Sequence, residues 1–464
     1  MSKLNLAFAN VAEEFSQHLL KPQVSNLPDW FGGQILRVGP AKFEYGKVKL
    51  NHWFDGLAML YSFESSKKDI YFSNKYLRSE QYFAANNGRM KYDEFGTMLP
   101  SKITSIIKTI LGFKVEKPSC NVNIFSLSNR LLAATEATTL IEFSSNNLET
   151  LKEFRFNDKL KGQFSCAHPQ LDPITQEQFN FVVDISRNCK YIIYKISKNS
   201  TKREKLYQFS DKQFIYNHTL FVTDNYVVLY LGPLRANPLE FLTKPIAEVI
   251  SYDKNASCKF LLLNRNSLKA TFIQAPTMVF LHSVNAFEVD NQIHLDFIEY
   301  TDSFDPYKKF YFKNIKTNDC KLKTQLVRTT IDISNAEISK RVVADYNVEF
   351  PRINQSFLMK SYRYVYLANR ETEADFFNSI IKFDITDGSI DRYSFGDDHF
   401  VSEPIFIANP QAQSEDDGLI FVNVIDIQMQ LSYIAYLNAN DLTLVYKAYL
   451  PILIPPALHG IYLK

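Results

Sequence analysis

Short runs rich in Val, Ile, Tyr and Phe, bounded by Asn, Asp, Gly or Ser, follow one another along most of the chain. They include 68–77, 129–143, 178–186, 225–234, 292–300, 362–369, 418–426 and 431–438. Side chains in each alternate with approximate period two, as in a strand covered on one face. Several runs are apolar on both phases, as strands covered on both faces are. No helical pattern alternates with them, so parallel βαβ plans are excluded. The expected class is all-β, either a propeller or a stacked sandwich, and no WD or kelch phrase marks a repeat. A length of 464 residues corresponds to about three average domains. The lack of any Pro/Ser-rich linker predicts instead a single domain over 1–464. The 38 Phe and 26 Tyr are mostly what half-buried strands favour, and an aromatic-lined apolar cavity accounts for the remainder.

One segment departs from this pattern. Over 101–117, Ile103, Ile106, Ile107, Ile110 and Leu111 fall on one helical face, with Ser101 as N-cap, Gly112 near the end and lysines flanking. Such a helix either docks on its own core or lies in a membrane interface with its lysines at the headgroups.

Composition removes several classes of function. With 52 basic residues against 50 acidic ones and a net charge of +2, there is no field to recruit nucleic acid. Five cysteines without CxxC spacing argue against a disulfide framework and for a reducing, cytoplasmic setting. The N-terminal stretch has no signal-peptide pattern, and no run reaches the ~18 apolar residues of a transmembrane helix. There is no GxSxG elbow and no phosphate-cradling glycine loop.

Four of the eight histidines sit in distinctive phrases far apart: His168 in CAHPQLDP, His218 in YNHTLFVTDNY, His282 in FLHSVNAFE and His459 in PPALHGIYL. A lone histidine in a strand is more often a packed residue than a ligand. If the four meet, only tertiary structure brings them together, and an all-imidazole cluster suits a first-row transition metal. Glu136, Glu349 and Glu403 lie in apolar surroundings, where a carboxylate needs a partner. The second N–H of a metal-bound imidazole is one such partner.

Together these phrases resemble the carotenoid cleavage oxygenase family almost end to end. The likeness runs through LPDWFGGQILRVGPAKFEYG (27–46), NHWFDGLAMLYSF (51–63), YLRSEQYFAANNGRMKYDEFGT (76–97), CNVNIFSL (120–127), TEATTLIEF and AHPQLDP. It continues through the His218 and His282 segments, EFPRIN (349–354), SEPIFIANPQAQSEDDGLIF (402–421) and the final LHG. The resemblance implies a seven-bladed β-propeller capped by loops and short helices over an axial iron site. It implies one Fe(II) per chain held by His168, His218, His282 and His459, with Glu136, Glu349 and Glu403 orienting the rings. The implied reaction is oxidative cleavage by O2 of a double bond in an apolar polyene, giving two carbonyl products.

Thr135 stands where stilbene-cleaving relatives carry a phenolate-binding lysine, so the resemblance favours a carotenoid or apocarotenoid. It also places Phe54, Phe95 and Thr135 along the substrate tunnel and Val122 against an open iron position, although phenylalanine is common enough here that ordinary packing competes for Phe54 and Phe95. DEFGTM (93–98) followed by the amphipathic stretch is most similar to the animal β-carotene oxygenases and the retinoid isomerohydrolase. In those relatives this region docks on membranes, which implies peripheral membrane attachment through 101–117, with PLRANPLEFL (233–242) as a second contact. No protein partner is implied. Gln170 and Ser283 replace histidines of the family's HPH and HHxNA phrases, at positions that are not ligands, and FGDDHFVSEP is looser than usual. The competing readings are a retinyl-ester isomerohydrolase, a stilbene-cleaving oxygenase and a carotenoid-binding propeller without turnover.

Overall fold

The computed structural model describes residues 3–99, 117–302, 305–372 and 374–464. Among these residues, seven antiparallel sheets of four to six strands dominate, so the chain is all-β as expected. The predicted runs fall on strands such as Asp69–Tyr76, Gln178–Asp184, Gln292–Tyr300, Gly418–Asp426 and Leu431–Asn438.

The run at 129–143 departs from its expectation of one strand. It forms two, Arg130–Ala134 and Leu140–Phe143, paired antiparallel with Leu140 opposite Ala134. The link between them carries Thr135 and Glu136, and folding back there lets Glu136 leave the sheet. The amphipathic stretch over 101–117 lies outside the described residues except for Lys117, whose ammonium pairs with Glu153 at 2.6 Å and Glu80 at 3.0 Å.

Most sheets are consecutive meanders. One runs Phe280–Val289, Gln292–Tyr300, Thr324–Asp332 and Ile338–Ala344 in spatial order. Its second strand is almost wholly buried and its last is largely exposed. Near-continuous apolar sequence is what a strand covered on both faces needs, and charged sequence such as ISKRVVA suits the outermost one.

Neighbouring sheets share cores in chain order. Leu36 and Leu60 of the first sheet pack with Ala133 and Phe143 of the second. Leu132 and Leu140 meet Val182 and Ile192 of the third, whose Phe181 and Ile193 meet Val227 and Leu261 of the fourth. Val228 and Phe260 pack with Leu295 and Phe297, and Ile298 and Leu326 with Val365 and Ile381. Tyr366 and Ile380 pack with Val422 and Ala435. The seventh sheet then packs on the first, Leu419 and Phe421 against Met59 and Phe63.

The two ends of the chain are woven into these sheets crosswise. Gly460–Leu463 pairs with Gly33–Pro40 in the first sheet, Gly460 opposite Arg37. Pro22–Ser25 pairs with Leu444–Tyr449 in the seventh. Gly460 tolerates no side chain, because a Cβ there would lie 2.5 Å from Leu36 O.

Candidate metal centre and its cavity

Each of the four histidines lies on, or beside, the edge strand of a different sheet. His168 sits between Phe164–Ser165 and Gln170–Leu171, and His218 just before Phe221–Val222. His282 is inside Phe280–Val289, and His459 directly precedes Gly460–Leu463. Edge strands are where register is free to break. The pairing around His282 shifts between Phe280 and Asn285, and that around Glu349 shifts before Arg352. Phe350 has φ of +53°, a left-handed conformation that costs a bulky residue free energy.

The result is one cluster. One ring nitrogen from each of His168, His218, His282 and His459 lies within 4.8 Å of all the others. His282 Nε2 and His459 Nε2 are 3.2 Å apart. All four predicted ligands are therefore brought together in a group able to hold a metal ion.

Three carboxylates orient three of the rings. His218 Nδ1 donates to Glu136 at 2.8 Å, His282 Nδ1 to Glu349 at 2.6 Å and His459 Nδ1 to Glu403 at 2.8 Å. Glu136, Glu349 and Glu403 are all buried, and an unpaired buried carboxylate costs several kcal/mol. Each is matched further. Tyr216 donates to Glu136 and Tyr300 to Glu349. Arg352 Nε donates to Glu403 at 2.9 Å and the Gly460 amide at 3.1 Å. The fourth ring has no carboxylate. His168 Nδ1 faces Asn123 Nδ2 at 3.4 Å, and its buried Nε2 has no hydrogen-bond partner.

These contacts fix the protonation pattern. Burial pulls His168 well below the usual imidazole value, helped by the three neighbouring rings. Burial also lowers His459 to about 4 and depresses His218, with Glu403 and Glu136 opposing the shift. Burial works against the charge on Glu403 and Glu349. Arg352 and His459 nevertheless hold Glu403 low, and His282 and Tyr300 do the same for Glu349. With protons held at Nδ1 by the carboxylates, the Nε2 lone pairs of His218, His282 and His459 are left unprotonated. Converging lone pairs and an orphaned buried nitrogen are unfavourable without a cation among them. The donor set thus fits a divalent transition metal.

An apolar cavity of about 220 Å³ opens onto the cluster, and His218, His282 and His459 are in its wall while His168 is not. All four residues expected along the substrate path, Phe54, Phe95, Val122 and Thr135, line it. Phe54 and Phe95 have centroids 5.8 Å apart, and Phe54 also packs on Phe310 at 5.5 Å. Short helical turns supply much of the wall: Trp53–Asp55, Pro238–Leu242, Ile246–Val249 and Pro306–Lys309 contribute Phe54, Phe241, Ile246 and Tyr307. Phe350 lines the cavity and packs on two rings of the cluster, 5.5 Å from His282 and 5.6 Å from His459.

Sequence reasoning did not single out Tyr216, Tyr300, Phe350, Arg352 or Arg37. Tyr216 stands two residues before His218 in a phrase already marked, so it was within reach. Arg37 is fully buried and donates to Glu403 O at 2.8 Å and Leu458 O at 3.0 Å, hundreds of residues away in sequence, and nothing local marks it.

The sequence profile of the retinal pigment epithelial membrane protein family matches residues 8–464. The β,β-carotene 15,15'-dioxygenase of Mus musculus is 26% identical over 522 residues, covering 99% of this chain and 92% of that protein. The apocarotenoid-15,15'-oxygenase of Synechocystis sp. is 27% identical over 463 residues, covering 94% and 91%. A solved structure of a Synechocystis apocarotenoid oxygenase variant superposes with a TM-score of 0.88 at 23% identity, over 100% of this chain and 98% of that one. A cobalt-substituted form of the Synechocystis enzyme gives 0.87 at 24%, with the same coverage. A match over nearly every residue, on a fold that gathers all four histidines, leads to one conclusion: the chain belongs to the retinal pigment epithelial membrane protein family, the carotenoid oxygenase family that its sequence resembles.

Proposed function

We propose that the chain is a non-haem Fe(II)-dependent dioxygenase that cleaves a conjugated double bond of a carotenoid or apocarotenoid with O2, releasing aldehydes. The observation that carries this reading is an apolar, aromatic-walled cavity ending on a buried four-histidine cluster. Relatives named as carotene and apocarotenoid oxygenases, aligned over nine-tenths or more of both chains, support it.

In this reading His168, His218, His282 and His459 hold the iron, and Glu136, Glu349 and Glu403 hold the Nδ1 protons that keep each ring's Nε2 available. The chemistry ferrous iron supplies when bound is activation of O2 beside an alkene. The chain's own part is placement. Phe54, Phe95 and Phe350 exclude water and grip a polyene by dispersion. Val122 narrows the space beside the cluster, and Thr135 sets a small polar side chain where a phenolate-binding lysine would favour stilbenes.

The same reading makes the seven sheets the blades of one seven-bladed propeller forming a single domain, with the loops and short helical turns as its cap. The order in which sheets share cores supports it, since the seventh returns to the first. Peripheral attachment to a membrane follows from the substrate's insolubility. No helix among the described residues is long and apolar enough to cross one. Leu239, 61% exposed on Pro238–Leu242, stands beside Phe241 and Leu242, which line the cavity. An exposed apolar side chain on a turn that also lines the cavity supports membrane docking near the cavity entrance, with 101–117 as a further contact expected from its sequence.

Mass spectrometry of products from Fe(II)-loaded protein under 18O2 tests the reaction. β-Carotene, apocarotenals, retinyl ester and a hydroxystilbene are offered in detergent. Labelled aldehydes from a polyene are expected. Unlabelled retinol from the ester alone would replace the reading by an isomerohydrolase, and no product at all would leave a binding protein.

A further inference from the structure

One stretch of the cavity wall does not suit a hydrocarbon. Residues 320–322 and 375–377 meet there with Arg370, and they bring Arg370 and Lys321 into the lining beside Phe376 and Phe377. Arg370 directly follows the strand Tyr364–Asn369, and its amide is tied to Asn347 O at 2.9 Å, so its base is fixed. Among the described residues its guanidinium donates to backbone oxygens, to Leu322 O at 3.2 Å and weakly to Thr372 O at 3.5 Å. Among the described residues it forms no ion pair.

Four other shielded arginines are paired closely with carboxylates, whereas the fully buried Arg37, like Arg370, donates to backbone oxygens and approaches Glu403 only to 4.0 Å. Arg203 is paired with Asp158 at 2.7 Å, Arg265 with Asp172 at 2.5 Å, Arg328 with Asp296 at 2.7 Å and Arg352 with Glu403 at 2.9 Å. Burial lowers the pKa of Arg370, with only distant help from Cys320 and Asp302. Lys321 has a loose partner, Asp375 at 3.7 Å, and that carboxylate also accepts from Asn318. Among the described residues, two cations therefore face this part of the cavity against one engaged carboxylate, Asp375. By contrast, Lys244, which also lines the cavity, is neutralised by Glu240 at 2.7 Å.

We propose that Arg370, with Lys321 beside it, receives an oxygenated terminus of the substrate, a carboxylate above all, so that the chain selects polyene acids over the corresponding esters and hydrocarbons. The inference rests on the reading of the cavity as a polyene site and names the end group that site prefers. A planar guanidinium already stripped of part of its water accepts a carboxylate in bidentate fashion, and such charge-assisted bonds are about twice as strong as neutral ones. A hydrocarbon or ester in the same place leaves the cation unanswered, and sites built around a buried polar group reject ligands that lack its partner.

Trp53 lines the cavity, so a bound polyene quenches its emission and reports affinity without turnover. Anaerobic metal-loaded protein is titrated with an apocarotenoic acid, its methyl ester and the hydrocarbon of equal polyene length. The wild type should bind the acid about tenfold more tightly than the ester, the scale of a charged hydrogen bond. Arg370→Met should bring that ratio close to one, Arg370→Lys should keep part of it, and Lys321→Met should reduce it by less than Arg370→Met. Because each ratio is internal to one variant, a general loss of packing cancels. A wild-type ratio near one, or an Arg370→Met ratio equal to the wild type's, overturns the inference while polyene binding stands. Absence of quenching by all three probes in the wild type overturns the polyene reading and the inference with it.

Discussion

At His282 a ring is held by a charge, whereas at His168 the Nδ1 faces only the Asn123 amide at 3.4 Å. Glu349 accepts the His282 Nδ1 proton at 2.6 Å while Tyr300 and the Phe350 amide bind the same carboxylate. Glu349→Gln keeps the shape and removes the charge, so metal affinity should fall by about 10- to 100-fold, measured by competition with a chelator. His282→Ala removes a ligand and should leave no retained iron by elemental analysis; iron-loaded His282→Ala protein would break the ligand assignment. The four histidines that cluster and the three glutamates beside them were legible in the sequence because each sits in a phrase of its own. Tyr216, Tyr300 and Arg352 were not, because tyrosine and arginine in strands are unremarkable until folding sets them against a carboxylate. The contact of Tyr216 with Glu136 spans 80 residues, and no spacing rule reaches that far.

Strands were legible wherever apolar alternation was unbroken, as in Gln292–Tyr300 and Gly418–Asp426. At 129–143 the pattern continued through a point where the chain turns, because Thr135, Glu136 and Ala137 are as compatible with a strand as their neighbours. The turn is dictated by where Glu136 must go, a tertiary requirement that overrides local preference. The short turn Pro238–Leu242 makes its own prediction. Its Leu239 is exposed while Phe241 and Leu242 face the cavity, so Leu239→Asp should weaken flotation with liposomes and leave iron content unchanged. The double change Ile106→Asp and Ile110→Asp should do the same for the 101–117 stretch. Undiminished flotation of both variants would remove the membrane from the account.

Over the whole molecule, an all-β class was legible and the order of the sheets was not, since the chain carries no repeated phrase from which sheet boundaries can be counted. The crosswise weaving of the ends is equally silent in sequence, because pairing between residues 33–40 and 460–463 depends on everything between them. Removing 460–464 takes away that strand and two supports of the centre, the Gly460 amide on Glu403 and Gly460 O under Arg352 Nη2 at 2.8 Å. It should lower Tm by about 5 °C or more and release the metal in the same step, seen by calorimetry with elemental analysis. A truncated protein that kept its iron would separate the two. The weaving also bears on how the protein is made. Its first sheet waits for Gly460–Leu463, a strand made after all its other strands and after the other six sheets, and His459 arrives with it. The five sheets between the first and the seventh can form in order on the nascent chain while the first still lacks its edge strand Gly460–Leu463. The four-histidine cluster is therefore completed only when nearly all of the fold has been made, so a metal held there enters a chain that is already largely assembled.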